Sequence, residues 1–301
     1  MDALNVLLAA TARTILLIVH SDDLLISSST ARYITVDSIL PHVACAYTAH
    51  PLQLTAKEEP MASYTIADLH LSMANPKKSM TVFGPRWDNY EERLRTQWTS
   101  IVSENDTVVI PGDISWAMTL GEAELDFAFL DSLPGTKLIG KGNHDFWWTT
   151  AKKIETFFQE HHFTSLRILY NNAYVVEDKI LCGTRGWFFD EKSQHTTMET
   201  DFEKLCNREA IRLKLSLDAA VSLKKQDGRD LPLVAFLHFP PLWNGESADN
   251  LLNLLAEYGV SDCYFGHIHG AAGTPKVQHH NGISLHLISS DHLRFCPMLV
   301  R

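Results

Sequence analysis

Five short apolar segments of this chain each run directly into a turn that carries aspartate, asparagine or histidine. Apolar runs of this length are typical of buried strands, and helical patterns separate them. Strands that alternate with helices predict an α/β fold. Because the carboxyl ends of parallel strands meet at one edge, we expect the polar turns to converge there. The segments are 64–67, 107–110, 137–139, 233–237 and 263–265, followed by Asp68-Leu69-His70, Gly112-Asp113, Gly142-Asn143-His144-Asp145, His238 and Gly266-His267-Ile268-His269.

The intervening segments have the apolar spacing of helices. Within 87–102, the apolar residues Tyr90, Leu94, Trp98 and Ile101 recur at intervals of three and four. Further strands are predicted at 179–182 and at 283–288, the latter closing a sheet. The other predicted helices are 122–133, 200–223 and 248–258.

Residues 1–60 differ from the rest of the chain. They contain no glycine, include a serine run at 27–29, and show no sustained apolar period. Met61 stands just before the first clear strand. We therefore expect 1–60 to be a poorly ordered N-terminal extension or the product of a mis-called start, with Met61 as the true start. A short regulatory or membrane-touching extension is the alternative, and 61–301 is predicted to be one domain.

The overall charge and the cysteines bear on partners and location. The formal charge of −10 disfavours nucleic acid as a partner. The five cysteines are scattered and never form a C-x-x-C pair, which indicates reduced thiols. The most apolar stretch, 4–19, is interrupted by Arg13 and is too short for a membrane span. A cytoplasmic protein without membrane contact is expected, and nothing in the sequence indicates its oligomeric state.

The polar turns offer carboxylate, imidazole and amide oxygen, but no thiolate. Manganese, iron, zinc and magnesium accept such donors. In Asp68-x-His70 and His267-x-His269, side chains two residues apart would project the same way from an extended segment and so reach one metal cluster. Each motif alone is weak, since a turn or a core histidine would explain it. Their joint occurrence after strands indicates a metal site.

This ordered set of motifs resembles the calcineurin-like metallophosphoesterase superfamily, over about 61–301. The run from Gly112 to Met118 is similar to a bacterial branch of predicted phosphohydrolases. The resemblance implies a two-sheet β-sandwich flanked by helices, in the order α/β/β/α. It also implies two divalent metal ions, with manganese as the first choice and iron, zinc or magnesium as alternatives. One ion would be held by Asp68, His70 and His269, the other by Asn143, His238 and His267, and Asp113 would bridge them.

An enzyme of this kind would hydrolyse phosphomonoesters or phosphodiesters of a small phosphorylated substrate, through attack by a metal-bound hydroxide. His144 follows the ligand Asn143 and is the predicted general acid. Asp145 is either an orienting residue or a simple turn residue. Arg185 either grips phosphate or is a surface arginine. Four tryptophans follow motif segments and either line a substrate pocket or belong to the core: Trp116, Trp147, Trp148 and Trp187.

Two departures separate the chain from the phosphoprotein phosphatases of this superfamily. Ser115 and Trp116 follow the Gly-Asp motif where those enzymes carry aspartate and arginine, and Asp145 replaces a glutamate. Protein phosphatase activity is therefore not expected. The alternative function is a non-catalytic protein-binding scaffold of the same fold. The presence of every ligand-type residue and of His144 favours catalysis.

Overall fold

The computed structural model describes residues 6–11, 14–19, 61–187, 199–271 and 277–301, with the backbone alone for 6–11, 14–19 and 199–203. The chain divides into two compact units, Met1–Glu58 and Glu59–Arg301. In the first unit, β1 (Val6–Thr11) pairs antiparallel with β2 (Thr14–Val19). The rest of the predicted extension 1–60 lies outside the described residues, so the expectations about it stay predictions.

The second unit contains a five-stranded sheet. Its order is β15 (Met298–Leu299), β3 (Ser63–Thr65), β4 (Thr107–Ile110), β5 (Thr136–Ile139) and β6 (Leu166–Ile168). The pairs from β3 to β6 are parallel, and β15 is antiparallel to β3. The parallel strands therefore all end at the same edge of the sheet.

A six-stranded sheet faces the first. Its order is β13 (Val277–His280), β14 (Ile283–Leu287), β12 (Asp262–Phe265), β9 (Leu233–Leu237), β8 (Lys179–Thr184) and β7 (Ala173–Val176). The four inner strands are parallel. The expectation that 283–288 closes a sheet is wrong, because β13 pairs outside β14 as the edge. The polar strand β13 lacks the apolar run that would reveal it. A separate hairpin joins β10 (Leu242–Trp243) to β11 (Glu246–Ser247).

Among the described residues, five α-helices flank the sheets, and four of them match predicted segments. They are α1 (Tyr90–Ile101), α2 (Glu124–Asp131), α3 (Ala151–Glu160), α4 (Glu199–Asp227) and α5 (Asp249–Glu257), and α3 is the one that was not predicted. Three 3₁₀-helices, Pro76–Lys78, Met80–Phe83 and Pro85–Trp87, precede α1. Among the described helices, none combines the length and the hydropathy needed to cross a bilayer.

Side chains alternate along each strand between a core shared by the two sheets and a core beneath the helices that cover that sheet. In β4, Val108 and Ile110 pack in a cluster with residues of α1, α2 and α3, while Val109 points to the other sheet. In β9, Leu233 packs with α4 and α5, while Phe236 packs between the sheets. Helices thus cover the outer face of each sheet, which confirms the predicted two-sheet sandwich flanked by helices.

Candidate metal centre

The polar turns meet at the carboxyl edge of both sheets. The backbone N–H of Asp68 donates to the carbonyl of Gly112 at 3.1 Å, which joins the turns after β3 and β4. The N–H of Gly266 donates to the carbonyl of His238 at 3.1 Å, which joins the turns after β12 and β9. Ala67 forms a parallel bridge with Ser289 and connects the two sheets. The backbone therefore fixes all these turns in one place.

The first group of metal-type residues consists of Asp68, His70 and His269. One potential ligand atom from each lies within 4.8 Å of the others. The Nε2 atoms of His70 and His269 are 3.0 Å apart. Asp68 and His70 are buried, and His269 is partly buried. These are the three residues predicted for one metal ion.

The second group consists of Asp113, His238 and His267, again with potential ligand atoms within 4.8 Å of one another. Asn143 belongs with them through its side-chain oxygen. That Oδ1 atom is 2.6 Å from Nε2 of His238 and 3.0 Å from Nδ1 of His267. All four residues predicted around the second ion therefore lie together.

Asp113 lies between the two groups. Its Oδ2 atom is 3.6 Å from Nε2 of His70 and 3.6 Å from Nε2 of His238. Its Oδ1 atom accepts the backbone N–H of His144 at 2.8 Å. One carboxylate oxygen is therefore equally close to a histidine of each group, as a bridging ligand would be.

The turns that carry the ligand-type residues are not extended. The expectation that an extended backbone makes the side chains of each Asp-x-His or His-x-His pair project the same way is therefore wrong. Asp68, His70, Asp113 and His267 have φ angles of 61°, 47°, 52° and 70°. Residues other than glycine rarely adopt this left-handed backbone conformation. The sharp turns send His267 and His269 to different groups instead of to one face. Strained backbone of this kind is concentrated at functional sites.

Burial sets the protonation of the cluster. Burial raises the pKa of Asp68 to about 6, and burial followed by the charges of Asp145 and Asp68 raises the pKa of Asp113. Burial lowers the pKa of His70 and His238, and lowers that of His267 to about 4. These three imidazoles are therefore neutral and present lone pairs, as metal ligands must.

The residues of the cluster fit a divalent cation. One buried oxygen of the cluster, Asp68 Oδ1, has no hydrogen-bond partner, and Nε2 of both His70 and His238 faces the Asp113 carboxylate. Buried carboxylates and unpaired polar atoms are costly unless a cation or a donor compensates them. Oxygen and imidazole donors without thiolate suit manganese, iron, zinc or magnesium.

Asp145 organises the turns that carry Asp113 and Asn143. Its Oδ2 accepts the backbone N–H groups of Asp113 and Gly142. Its Oδ1 accepts the backbone N–H of Ile114 at 2.8 Å and the indole N–H of Trp147 at 3.0 Å. It is buried and 2% exposed. Of the two roles left open by the sequence, the structure assigns the orienting one.

Asp291 is a residue of the site that sequence reasoning missed. Its Oδ1 lies 2.9 Å from Nδ1 of His269, and its Oδ2 accepts the N–H of Gly270 at 2.9 Å and pairs with Arg86 Nε at 3.3 Å. Burial acts to lower the pKa of His269, but the hydrogen bond to Asp291 and the charges of Asp68 and Asp291 together outweigh it, and the pKa is raised. The position of Asp291 just after the strand predicted at 283–288 was the available signal.

His144 lies beside the first group. Its ring centroid is 5.5 Å from that of His70 and 4.4 Å from that of Trp116. The ring of Trp116 stacks on that of His70 with centroids 4.9 Å apart. Trp116 also lines a cavity of about 320 Å³, together with Asn75 and Lys78. Trp116 is thus placed to line a pocket.

The other tryptophans divide differently. Trp147 is 1% exposed and belongs to the core between α2, α3 and the five-stranded sheet, with Trp148 packed against it. Trp187 lies 5.4 Å from Phe239, beside the guanidinium of Arg185.

The fold and the donor set together define a two-sheet sandwich protein with a two-part centre of metal-type ligands. The sequence model of the calcineurin-like phosphoesterases matches residues 63–271, and the chain belongs to that family. Its members are generally dinuclear metal-dependent phosphoester hydrolases. No curated protein matches the chain.

Several solved structures are similar to the chain at low sequence identity. Phosphopantetheinyl hydrolase from Mycobacterium tuberculosis is 14% identical with a TM-score of 0.47, covering 80% of this chain and 96% of that one. A protein of unknown function from Aquifex aeolicus is 15% identical with a TM-score of 0.38, covering 79% and 95%. A Thermus thermophilus protein is 11% identical with a TM-score of 0.46, covering 76% and 89%. Similarity at this level says nothing about the substrate.

Proposed function

We propose that this chain is a dinuclear metal-dependent phosphohydrolase that cleaves phosphomonoester or phosphodiester bonds of a small substrate. The observation that carries the proposal is the position of Asp113, whose Oδ2 is 3.6 Å from a histidine of each group. A carboxylate shared by two cations fixes their separation, as two-metal phosphoester hydrolysis requires. Membership of the family supports the same reaction class.

The ligand assignment follows the two groups. Asp68, His70 and His269 would hold one cation, while Asn143, His238 and His267 would hold the other, with Asp113 shared. A pair of divalent cations supplies Lewis acidity, which neutralises charge on the phosphoryl oxygens and lowers the pKa of a nucleophilic water. Manganese is our first choice, and iron, zinc and magnesium suit the same donors.

His144 supplies the proton that the leaving oxygen needs. Its backbone N–H is held by Asp113 Oδ1, which directs the residue to the edge of the cluster. Burial and then the charge of His269 lower the pKa of His144. A phosphate dianion bound beside the ring acts in the opposite direction and favours the imidazolium that a general acid requires.

Substitution of the shared carboxylate tests the proposal. We expect the wild-type protein to bind two manganese ions, measured by elemental analysis, and to hydrolyse 4-nitrophenyl phosphate or bis(4-nitrophenyl) phosphate. Asp113→Ala is expected to lower hydrolysis by at least about 100-fold, since both cations lose a ligand. The matched control is Asp230→Ala, whose side chain is 97% exposed.

The outcomes separate the proposal from its alternative. Equal hydrolysis by Asp113→Ala and wild type would show that the reaction does not use this centre. A wild-type protein that binds no metal, and that hydrolyses neither ester with manganese, zinc, iron or magnesium, would leave the protein-binding scaffold as the better assignment.

A further inference from the structure

A cluster of cationic side chains borders the second ligand group, in a chain whose formal charge is −10. We call Lys141, Arg185, Arg208 and Arg212 the cationic cluster. The three arginines surround the fully buried carboxylate of Glu209. Its Oε1 lies 3.5 Å from Arg185 and 3.8 Å from Arg208, and it also pairs with Arg212.

Among the described residues, Glu209 and, at Lys141, Asp145 oppose these four positive charges. Three guanidinium groups share Glu209, and Lys141 stands close enough that the charges of Arg185 and Arg212 add to burial in lowering its pKa. Burial likewise lowers the pKa of Arg185, although Glu209 opposes this. Within the part of the chain that the structure describes, the cationic cluster therefore has more cations than opposing carboxylates, and an excess of positive charge attracts anions from solution.

Arg185 also has a buried donor without an acceptor. Its Nε atom is buried and makes no hydrogen bond, and the side chain as a whole is 14% exposed. The guanidinium lies over the rings of Trp187 and Phe239, at 5.0 Å and 5.9 Å from their centroids. Oε2 of Glu209 is likewise unpaired, so the contacts between Glu209 and the arginines leave a buried charged donor unsatisfied, which is costly.

The cationic cluster is next to the metal centre. The carbonyl of Arg185 accepts the backbone N–H groups of His238 and Phe239, both at 3.0 Å. The ring of Phe239 in turn packs on that of His267 at 4.5 Å. Lys141 directly precedes the turn that carries Asn143. Through these contacts the cationic cluster adjoins the second ligand group.

We propose that the cationic cluster is a second anion subsite, and that the substrate is an organic phosphate bearing a second anionic group. Arg185 and Arg212 hold the oxygens of that second group while the scissile phosphate lies at the metal centre. Planar guanidinium groups suit this task because they donate two parallel hydrogen bonds to phosphate or carboxylate. The assignment rests on the proposed function for the position of the scissile group.

A matched pair of inhibitors tests the subsite. Propylphosphonate carries one anionic group, and propane-1,3-diylbisphosphonate carries a second at the end of the same chain. Their inhibition constants against 4-nitrophenyl phosphate, and their dissociation constants by calorimetry, are measured on the manganese-loaded protein. The wild type is expected to bind the bisphosphonate about tenfold more tightly, which corresponds to one good charge-assisted contact.

The variants Arg185→Gln and Arg212→Gln are each expected to bring the affinity ratio below about threefold, because a partner of the second anionic group is lost. Arg229→Gln is the control, since Arg229 pairs with Asp227 outside the cationic cluster. Arg208→Gln provides a further variant that leaves Glu209 with two guanidinium partners, should the others fail to fold. Its side chain is 51% exposed, and a smaller fall in the ratio is expected.

Two results would overturn the subsite: a wild-type ratio near one, or a ratio unchanged in every folded variant of the cationic cluster. The arginines would then serve only to neutralise Glu209. A calorimetric ratio that depends on the arginines in a protein that hydrolyses no ester would support the subsite and refute the proposed function. A protein that hydrolyses the esters but binds the two inhibitors equally tightly would support the proposed function and refute the subsite.

Discussion

The Oδ2 atom of Asp145 accepts the backbone N–H of Asp113 at 2.9 Å and so holds the carboxylate that lies between the two ligand groups. The same oxygen accepts the N–H of Gly142 at 2.7 Å, and Oδ1 accepts the N–H of Ile114 at 2.8 Å. Asp145 thereby fastens the turn after β4 to the turn after β5 without itself being a proposed ligand.

Asp145→Asn is expected to destabilise the fold and weaken metal binding. An amide has one acceptor oxygen, so several buried N–H groups lose a charged partner, at a cost of about 3 kcal/mol in unfolding free energy. Urea denaturation and manganese titration measure the two effects. Asp230→Asn, at a 97% exposed position, is expected to change the unfolding free energy by less than about 0.5 kcal/mol. An unfolding free energy of Asp145→Asn equal to that of the wild type would contradict the role of Asp145 in joining the two turns.

Asp291→Asn is expected to weaken metal binding about 10- to 100-fold, because Asp291 orients His269 and makes its other nitrogen a better ligand. Competition with a fluorescent chelator measures the affinity. Asp262→Asn is a matched control: Asp262 Oδ1 contacts Nε2 of His286 at 2.8 Å, in a similar pair outside the ligand groups. An equal loss of affinity in both variants would mean that Asp291 acts only through general stability.

His144→Ala is expected to act according to the leaving group. Hydrolysis of an alkyl phosphate should slow about 10²- to 10⁴-fold, because an alkoxide needs a proton as it departs. Hydrolysis of 4-nitrophenyl phosphate should slow less, since nitrophenolate leaves without one. Steady-state kinetics on the two esters gives the comparison, and His161→Ala, on the exterior beside Phe157, is the control. The same loss for both esters would rule out proton donation.

Gly142→Ala is expected to disturb the bridging residue. A Cβ at position 142 would lie 2.8 Å from Cγ of Asp113 and closer still to its Oδ1. The Asp113 carboxylate must then move, so we expect manganese affinity to fall at least about tenfold. At Gly121, by comparison, a Cβ meets nothing within 4 Å. Gly121→Ala should therefore bind manganese like the wild type. Equal manganese affinities for Gly142→Ala and Gly121→Ala would contradict the close approach of position 142 to Asp113.

The sequence predicted the strands that are uniformly apolar. The bounds expected for 107–110 and 233–237 are those of β4 and β9, because both strands are buried on two faces and read as continuous apolar runs. It did not predict β13 or α3. β13 is polar at the sheet edge, and α3 follows a turn rich in aromatic residues that hides its start.

The residues of the site were easier to predict than their geometry. Motifs at strand ends predicted a set of residues that does gather at one edge, because strand ends are fixed by the parallel topology. The left-handed backbone at Asp68 and His267 was not predictable, since tertiary contacts impose it against local preference. Asp291 escaped notice because a single aspartate after a strand carries no motif.

Each ligand group takes residues from both sheets of the sandwich. Asp68 and His70 follow β3, whereas His269 follows β12; Asn143 follows β5, whereas His238 follows β9. An ion bound by either group would therefore cross-link the two layers. Metal occupancy and resistance to unfolding would then be thermodynamically linked, and a chelator would loosen the sandwich at the edge where catalysis is proposed.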